Sequence, residues 1–284
     1  MKKTLIAMAA VAVAGVASAQ VTLSGTFNLD ADNKTTDSKT TVAAGDVILS
    51  ASAAEDLGGG MSVNVNTTLQ TVNGRGGKAT NNGYSMAIAG GFGTVTYKNY
   101  LAGSAGLSAS ISAENDMNDA AGGYTARSRF EYTLPSMVEG LTASVRWDST
   151  NGDDSQGQID STAFDTTKYA VGYSAGPVSV STSGSNTAGS KNDFTVKFDA
   201  GIAAISAYSA TNVTEFAVTA PLGALNVGMH MLSGKNKANG LTASYALSKR
   251  TSLRYSYVNQ STVATGNAAG AAGTNYRLRL SHSF

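Results

Sequence analysis

The chain has no cysteine, three prolines and two histidines, and only 14% of its 284 residues are charged. Without cysteine there is neither a disulfide framework nor thiolate chemistry. With only His230 and His282, the two-histidine zinc motifs cannot be assembled at useful spacing. A Ser-His-acid hydrolase would have to use one of them as its base. His282 alternates with apolar residues, and His230 is a lone histidine among many serines, so no catalytic residue is assigned, and no metal or cofactor site. The formal charge of +1 becomes −1 without Lys2 and Lys3, a balance that carries no nucleic-acid footprint. Beyond the N-terminus no apolar run approaches the ~20 residues of a membrane-spanning helix. Gly74-Arg75-Gly76-Gly77-Lys78-Ala79 superficially resembles a phosphate loop, but Ala79 stands where Ser or Thr is required.

The first residues have a different character. Lys2 and Lys3 precede an apolar run from Leu5 to Val16, and Ala17-Ser18-Ala19 follows before Gln20. A positive region, a short apolar core and a small-x-small site describe a cleaved secretory signal. Residues 1–19 are read as that signal and residues 20–284 as the exported domain.

The exported part is rich in Gly, Ala, Ser, Thr, Val and Asn and alternates with period two. Phe27 and Leu29 alternate with Asn28 and Asp30; Val63, Val65 and Leu69 with Asn64, Asn66 and Gln70. Leu141, Ala143, Val145 and Trp147 alternate with Thr142, Ser144, Arg146 and Asp148. The same holds for Phe194–Phe198, Leu253–Tyr257 and, most regularly, Tyr276–Phe284. Such strands suit a sandwich with a dry core or a membrane barrel with an apolar outside and a polar lumen.

Loop lengths favour the barrel. Short turns at Glu55–Gly60, Gly90–Gly93, Pro135–Gly140, Ala175–Pro177, Asp199–Gly201, Pro221–Ala224 and Ser248–Arg250 hold all three prolines. They alternate with polar stretches around Asp32–Thr41, Thr71–Asn82, Asn99–Ala126, Ser149–Thr167, Gly184–Asn192, Ala210–Thr214, Ser233–Asn239 and Gln260–Asn275. Short turns at one rim and longer loops at the other are what an outer-membrane barrel requires. Counting the connections predicts an all-β, transmembrane antiparallel barrel of sixteen strands, with blurred alternation at Thr41–Ala53 and Ile202–Tyr208.

Glu55-Asp56-Leu57-Gly58-Gly59-Gly60 resembles the turn between the second and third strands of the general trimeric porins of the Gram-negative outer membrane. Further matches follow in that family's order: Val21-Thr22-Leu23 with Gly25, Gly91-Phe92-Gly93-Thr94-Val95-Thr96, and Tyr132-Thr133-Leu134-Pro135 with Gly140-Leu141. Tyr245–Leu253 resembles the penultimate hairpin, and the chain ends on His282-x-Phe284. The resemblance implies a homotrimer in the outer-membrane lipid and a channel for small hydrophilic solutes and ions. It also implies insertion by the barrel-assembly machinery and a third loop folded inward to narrow the pore. The chain departs from the family at Ile48, where an arginine is usual, and at Lys98, which keeps the charge of an arginine without its planar fork.

Strand parity places Lys98, Arg127, Arg129, Arg146, Lys168, Lys197, Arg254, Arg277 and Arg279 on the polar face, with Asp30, Glu131, Asp148, Asp193, Asp199 and Glu215 as the facing acids. An excess of cations on a lumen wall biases a pore toward anions, so a weak anion preference is expected. Lys98, Arg127, Arg129 and Arg146 flank the third loop, and Glu114, Asp116 and Asp119 within it are the acids that would face them at a constriction. Tyr276, Leu278, Leu280 and Phe284 form the expected assembly signal. Tyr84, Tyr132, Tyr169, Tyr173, Tyr208, Tyr255, Tyr257 and Tyr276 are candidates for interfacial girdles. A substrate-specific channel and a secreted β-rich adhesin are the competing readings; the adhesin predicts an internal repeat, and none is found.

Overall fold

The computed structural model describes residues 20–34, 39–71, 80–102, 125–148, 166–211, 213–234, 237–260 and 273–284. They form sixteen strands: β1 (Gln20–Lys34), β2 (Thr41–Gly58), β3 (Met61–Thr71), β4 (Thr80–Gly90), β5 (Gly93–Ala102), β6 (Thr125–Thr133), β7 (Leu141–Asp148) and β8 (Thr166–Ala175), then β9 (Val178–Ser185), β10 (Asp193–Asp199), β11 (Ala204–Ala210), β12 (Val213–Leu222), β13 (Leu225–Gly234), β14 (Ala238–Ala246), β15 (Thr251–Gln260) and β16 (Gly273–Ser283). Each pairs antiparallel with its sequence neighbours, and β16 pairs with β1, closing the sheet into a barrel with no free edge. Barrels of about 16–18 strands are wide enough to leave an aqueous channel.

The distribution of apolar residues decides between sandwich and membrane barrel. Among the described residues the buried apolar set is only Ala217, Leu232, Ala238 and Val258. Large apolar side chains instead stand outside: Phe194 is 56% exposed, Val196 48%, Leu278 44% and Met231 50%. A water-soluble protein does not leave so continuous an apolar belt uncovered. Here the belt faces outward on every second residue, as a lipid-facing wall requires. Aromatic rings cluster at two places on the outer face. Tyr97 contacts both Tyr84 and Phe130, and Tyr276 contacts both Tyr255 and Tyr257. Tyr132 donates its hydroxyl to the Phe92 carbonyl at the short-turn rim. Tyr208 is an exception to the girdle expectation. It pairs with Thr195 and Glu215 and points into the lumen, three residues from outward Ile205 and therefore on the opposite face.

Local chemistry sets the turns. Gly58, Gly59 and Gly60 all have positive φ, at 77°, 62° and 76°, and Asp56 Oδ1 accepts a 2.8 Å hydrogen bond from the Gly58 N–H. Three successive left-handed residues admit little but glycine, which is the physical content of the Glu-Asp-Leu-Gly-Gly-Gly motif. Glu55, Asp56 and Leu57 belong to β2 rather than to the turn, and Asp32 belongs to β1 rather than to a loop. The blurred alternation in β2 comes from a bulge: Phe27 pairs with Val47 but Leu29 with Ala44, so Gly45 and Asp46 together oppose Asn28. The β11–β12 connection, expected to be long, is only residues 211–212.

Candidate functional site on the lumen wall

The register sets the polar-face residues opposite one another across the strands, in the parity opposite to the exposed apolar residues. Two sectors of the inner wall differ in charge and in access to water.

The first spans β5 to β8. Lys98 pairs with Arg129, Glu131 with Arg146, and Arg146 with Lys168. Asp148 is the hub of this group. Its side chain is 3% exposed, Lys168 Nζ lies 2.7 Å from one oxygen and Arg146 Nε 3.4 Å from the other. Arg129 sits 3.6 Å from Glu131 and occupies the position across the ladder from Asp148. Four cations thus stand against two carboxylates, and the surplus stays in contact with water, since Arg146 and Lys168 remain 35% and 32% exposed. The backbone of Arg127 pairs with Tyr100 beside this group; its side chain lies outside the described residues. Glu114, Asp116 and Asp119 also lie outside them, as does the segment read as a signal.

The second sector is the closing seam. Asp30 pairs with Arg279 and Asp32 with Arg277 in the β1–β16 register. Each arginine engages its aspartate through Nε and a terminal nitrogen: Arg279 at 2.7 and 2.7 Å, Arg277 at 2.7 and 2.9 Å. Such two-pronged pairs are short, directional and strong for hydrogen bonds. Below them Ser281 donates to Asn28 Oδ1 at 2.6 Å. Arg277 and Arg279 face the lumen as parity predicts, yet they are 6% and 8% exposed and matched by carboxylates, so they add little to the field in the pore. Lys197 faces Ser179 and Ser206, and Arg254 faces Ser244 and Arg279. Together with the seam arginines they make four cations against five carboxylates, Asp30, Asp32, Asp193, Asp199 and Glu215. The unbalanced positive charge of the described wall therefore belongs to β5–β8.

On the lipid side of the seam, Phe284 exchanges two backbone hydrogen bonds with Gly25, both 3.0 Å. Its ring fills the space beside Gly25; a β-carbon there would lie 2.3 Å from the ring. Leu280 pairs with Leu29 and Leu253, and Leu278 with Ala31 and Tyr255, so the expected assembly signal is a continuous outer ridge with Tyr276 at its upper end. The sequence reading missed Asp148 as hub and Asp32 as a partner. The register of three strands is needed to find the first. The second follows once β1 is paired with β16.

A model of Gram-negative porins matches residues 5–265 of the chain. Solved structures similar in fold include a mutant of the porin of Rhodopseudomonas blastica, at 12% identity and TM-score 0.67, covering 93% of this chain and 100% of that one. An anion-selective porin from Comamonas acidovorans is 18% identical with TM-score 0.62, covering 94% and 100%. OmpT, an outer membrane protein of Vibrio cholerae in its trimer form, is 12% identical with TM-score 0.64, covering 94% and 100%. A comparison with curated proteins finds no match.

Proposed function

This chain belongs to the Gram-negative porin family and is a sixteen-stranded channel protein of the outer membrane, and on that premise we propose that it passes small hydrophilic solutes and ions by passive diffusion, with a weak preference for anions. The observation that carries the preference is the water-accessible surplus of cations on β5–β8: Lys98, Arg129, Arg146 and Lys168 against Glu131 and Asp148. Charges lining a confined pore act through its field on every ion that passes. The proposal includes a homotrimer in outer-membrane lipid, export by the signal in residues 1–19, and delivery to the barrel-assembly machinery through the Tyr276–Phe284 ridge. It also includes a constriction at which the third loop, with Glu114, Asp116 and Asp119, meets Arg127, Arg129 and Arg146. The small residues of that loop, among them Gly103, Ala105, Gly106, Ala120 and Gly122, permit close backbone approach to a wall.

Reconstitution in a planar bilayer tests the reading. Discrete conductance steps and a reversal potential on the anion side are expected in a potassium chloride gradient. Removing residues 103–119 is expected to enlarge the steps and the solute size limit. Clear cation preference at low salt would overturn the selectivity, and unchanged steps in the shortened variant would overturn the constriction.

A further inference from the structure

The inner wall carries a recess between β6 and β11, toward the long-loop rim. Its volume is about 390 Å³, within the range of small-molecule sites. We propose that this recess is a binding subsite for small oxyanions of the phosphate class, so that such solutes are retained briefly during passage. The proposal rests on the channel reading and specifies what the positive sector of the wall recognises.

Three cations border the recess: Arg146, Lys168 and Lys191. Between them lies a bed of hydroxyls, Ser144, Ser183, Ser185 and Ser190, with Ala170 giving depth because its side chain is small. The hydroxyls arise from an unusual strand. All four lumen positions of β9 are serine (Ser179, Ser181, Ser183 and Ser185), and Ser183 and Ser185 pair with Ala170 and Lys168 on β8. A serine hydroxyl rotates to donate to whatever acceptor is near.

Two carboxylates, Glu131 and Asp193, also border the recess, each held by a neighbour, and a third lies behind it. Asp148 is 2% exposed and does not border the recess; it holds Lys168 and Arg146 from behind. Glu131 is drawn to Arg129, and Asp193 accepts a 3.4 Å hydrogen bond from Ser183. The hold on Arg146 is Coulombic: its Nε makes no hydrogen bond, although Asp148 Oδ1 is 3.4 Å away. The planar fork is therefore positioned by charge, and its donors are not consumed by Asp148. A fork, two ammonium groups and rotating hydroxyls suit an acceptor with several oxygens and more than one charge. Phosphate and phosphate monoesters carry roughly −1.5 to −2 near neutral pH and fit that description. Chloride offers a single charge with no oxygen array and gains only the Coulombic part.

The test uses the full-length protein in planar bilayers with inorganic phosphate as probe. In the parent, current carried by potassium phosphate is expected to level off as concentration rises while chloride current stays linear. Phosphate added to potassium chloride is expected to lower the chloride conductance. Lys191→Gln is expected to raise the half-saturating phosphate concentration by about tenfold, and Ser183→Ala by roughly threefold. Lys197→Gln serves as the field control. It removes the same charge from β10 outside the recess and should move half-saturation by less than about twofold. A linear phosphate current in the parent overturns the subsite. Equal shifts from Lys191→Gln and Lys197→Gln also overturn it, because the wall then acts only through its mean field. Absence of chloride steps in the parent removes the channel reading and the subsite with it.

Discussion

Replacing Asp30 by alanine strikes the closing seam at its most enclosed pair. Arg279 and Asp30 are 10% and 9% exposed in their side chains and share two 2.7 Å hydrogen bonds. The substitution leaves the guanidinium in place and withdraws its strongest partner. Breaking a buried pair from one side costs about 3–5 kcal/mol. Asp32→Ala should cost less, roughly 1.5–3 kcal/mol for charge-assisted hydrogen bonds. Asp32 is more open, at 17%, and Arg277 keeps Asp30 at 3.8 Å. For that same reason the two losses should not add in the double variant. Exchanging the charges, with Asp30→Arg and Arg279→Asp together, should recover most of the loss. Denaturant unfolding in lipid vesicles reads the effect, with the single tryptophan, Trp147 on the outer face, as reporter. If Asp30→Ala lies within about 0.5 kcal/mol of the parent, the seam is held by its backbone ladder and the side-chain pairs contribute nothing measurable.

Gly25→Val would set a branched side chain against the Phe284 ring, and overpacking of this kind costs roughly 1–3 kcal/mol. Less heat-modifiable protein should reach the outer membrane, as on deletion of Phe284, and combining Gly25→Ala with Phe284→Leu should restore part of it; full assembly of Gly25→Val would refute the close fit. Arg129→Glu with Arg146→Glu turns a sector of four cations and two carboxylates into two and four. The reversal potential should then move to the cation side, and an unmoved potential would locate selectivity elsewhere. The parent's anion preference should shrink as salt rises, since the screening length falls from ~10 Å at 0.1 M to ~3 Å at 1 M; a preference that persists at 1 M would point to direct binding in place of a field.

Parity alone was enough to put Arg146, Lys168, Lys197 and Arg254 on the inner face, because a period of two leaves no freedom once one residue of a strand is oriented. Connection lengths likewise gave the number of strands. Partners across strands were not legible, because they depend on register. The β2 bulge at Gly45 shifts that register and makes room for the Asp30 carboxylate, which a β-carbon at Gly45 would approach at 2.5 Å. Counting wall charges without pairing them therefore overstates the cations, as Arg277 and Arg279 illustrate. Tyr208 was legible and misread: tyrosine is common at membrane interfaces, but its odd separation from Ile205 outweighs that tendency.

The two-residue link at 211–212 has a consequence for what reaches the mouth from outside. A chain rises at most about 3.3–3.6 Å per residue, so this link cannot stand more than a few ångströms above the ends of β11 and β12. The link at 235–237 has three residues, whereas the connections at 103–124, 149–165 and 261–272 are far longer. The β11–β14 side of the long-loop rim therefore has the least connecting chain. Large bodies that grip the cell surface, such as an antibody or a phage fibre, would find little loop to hold there.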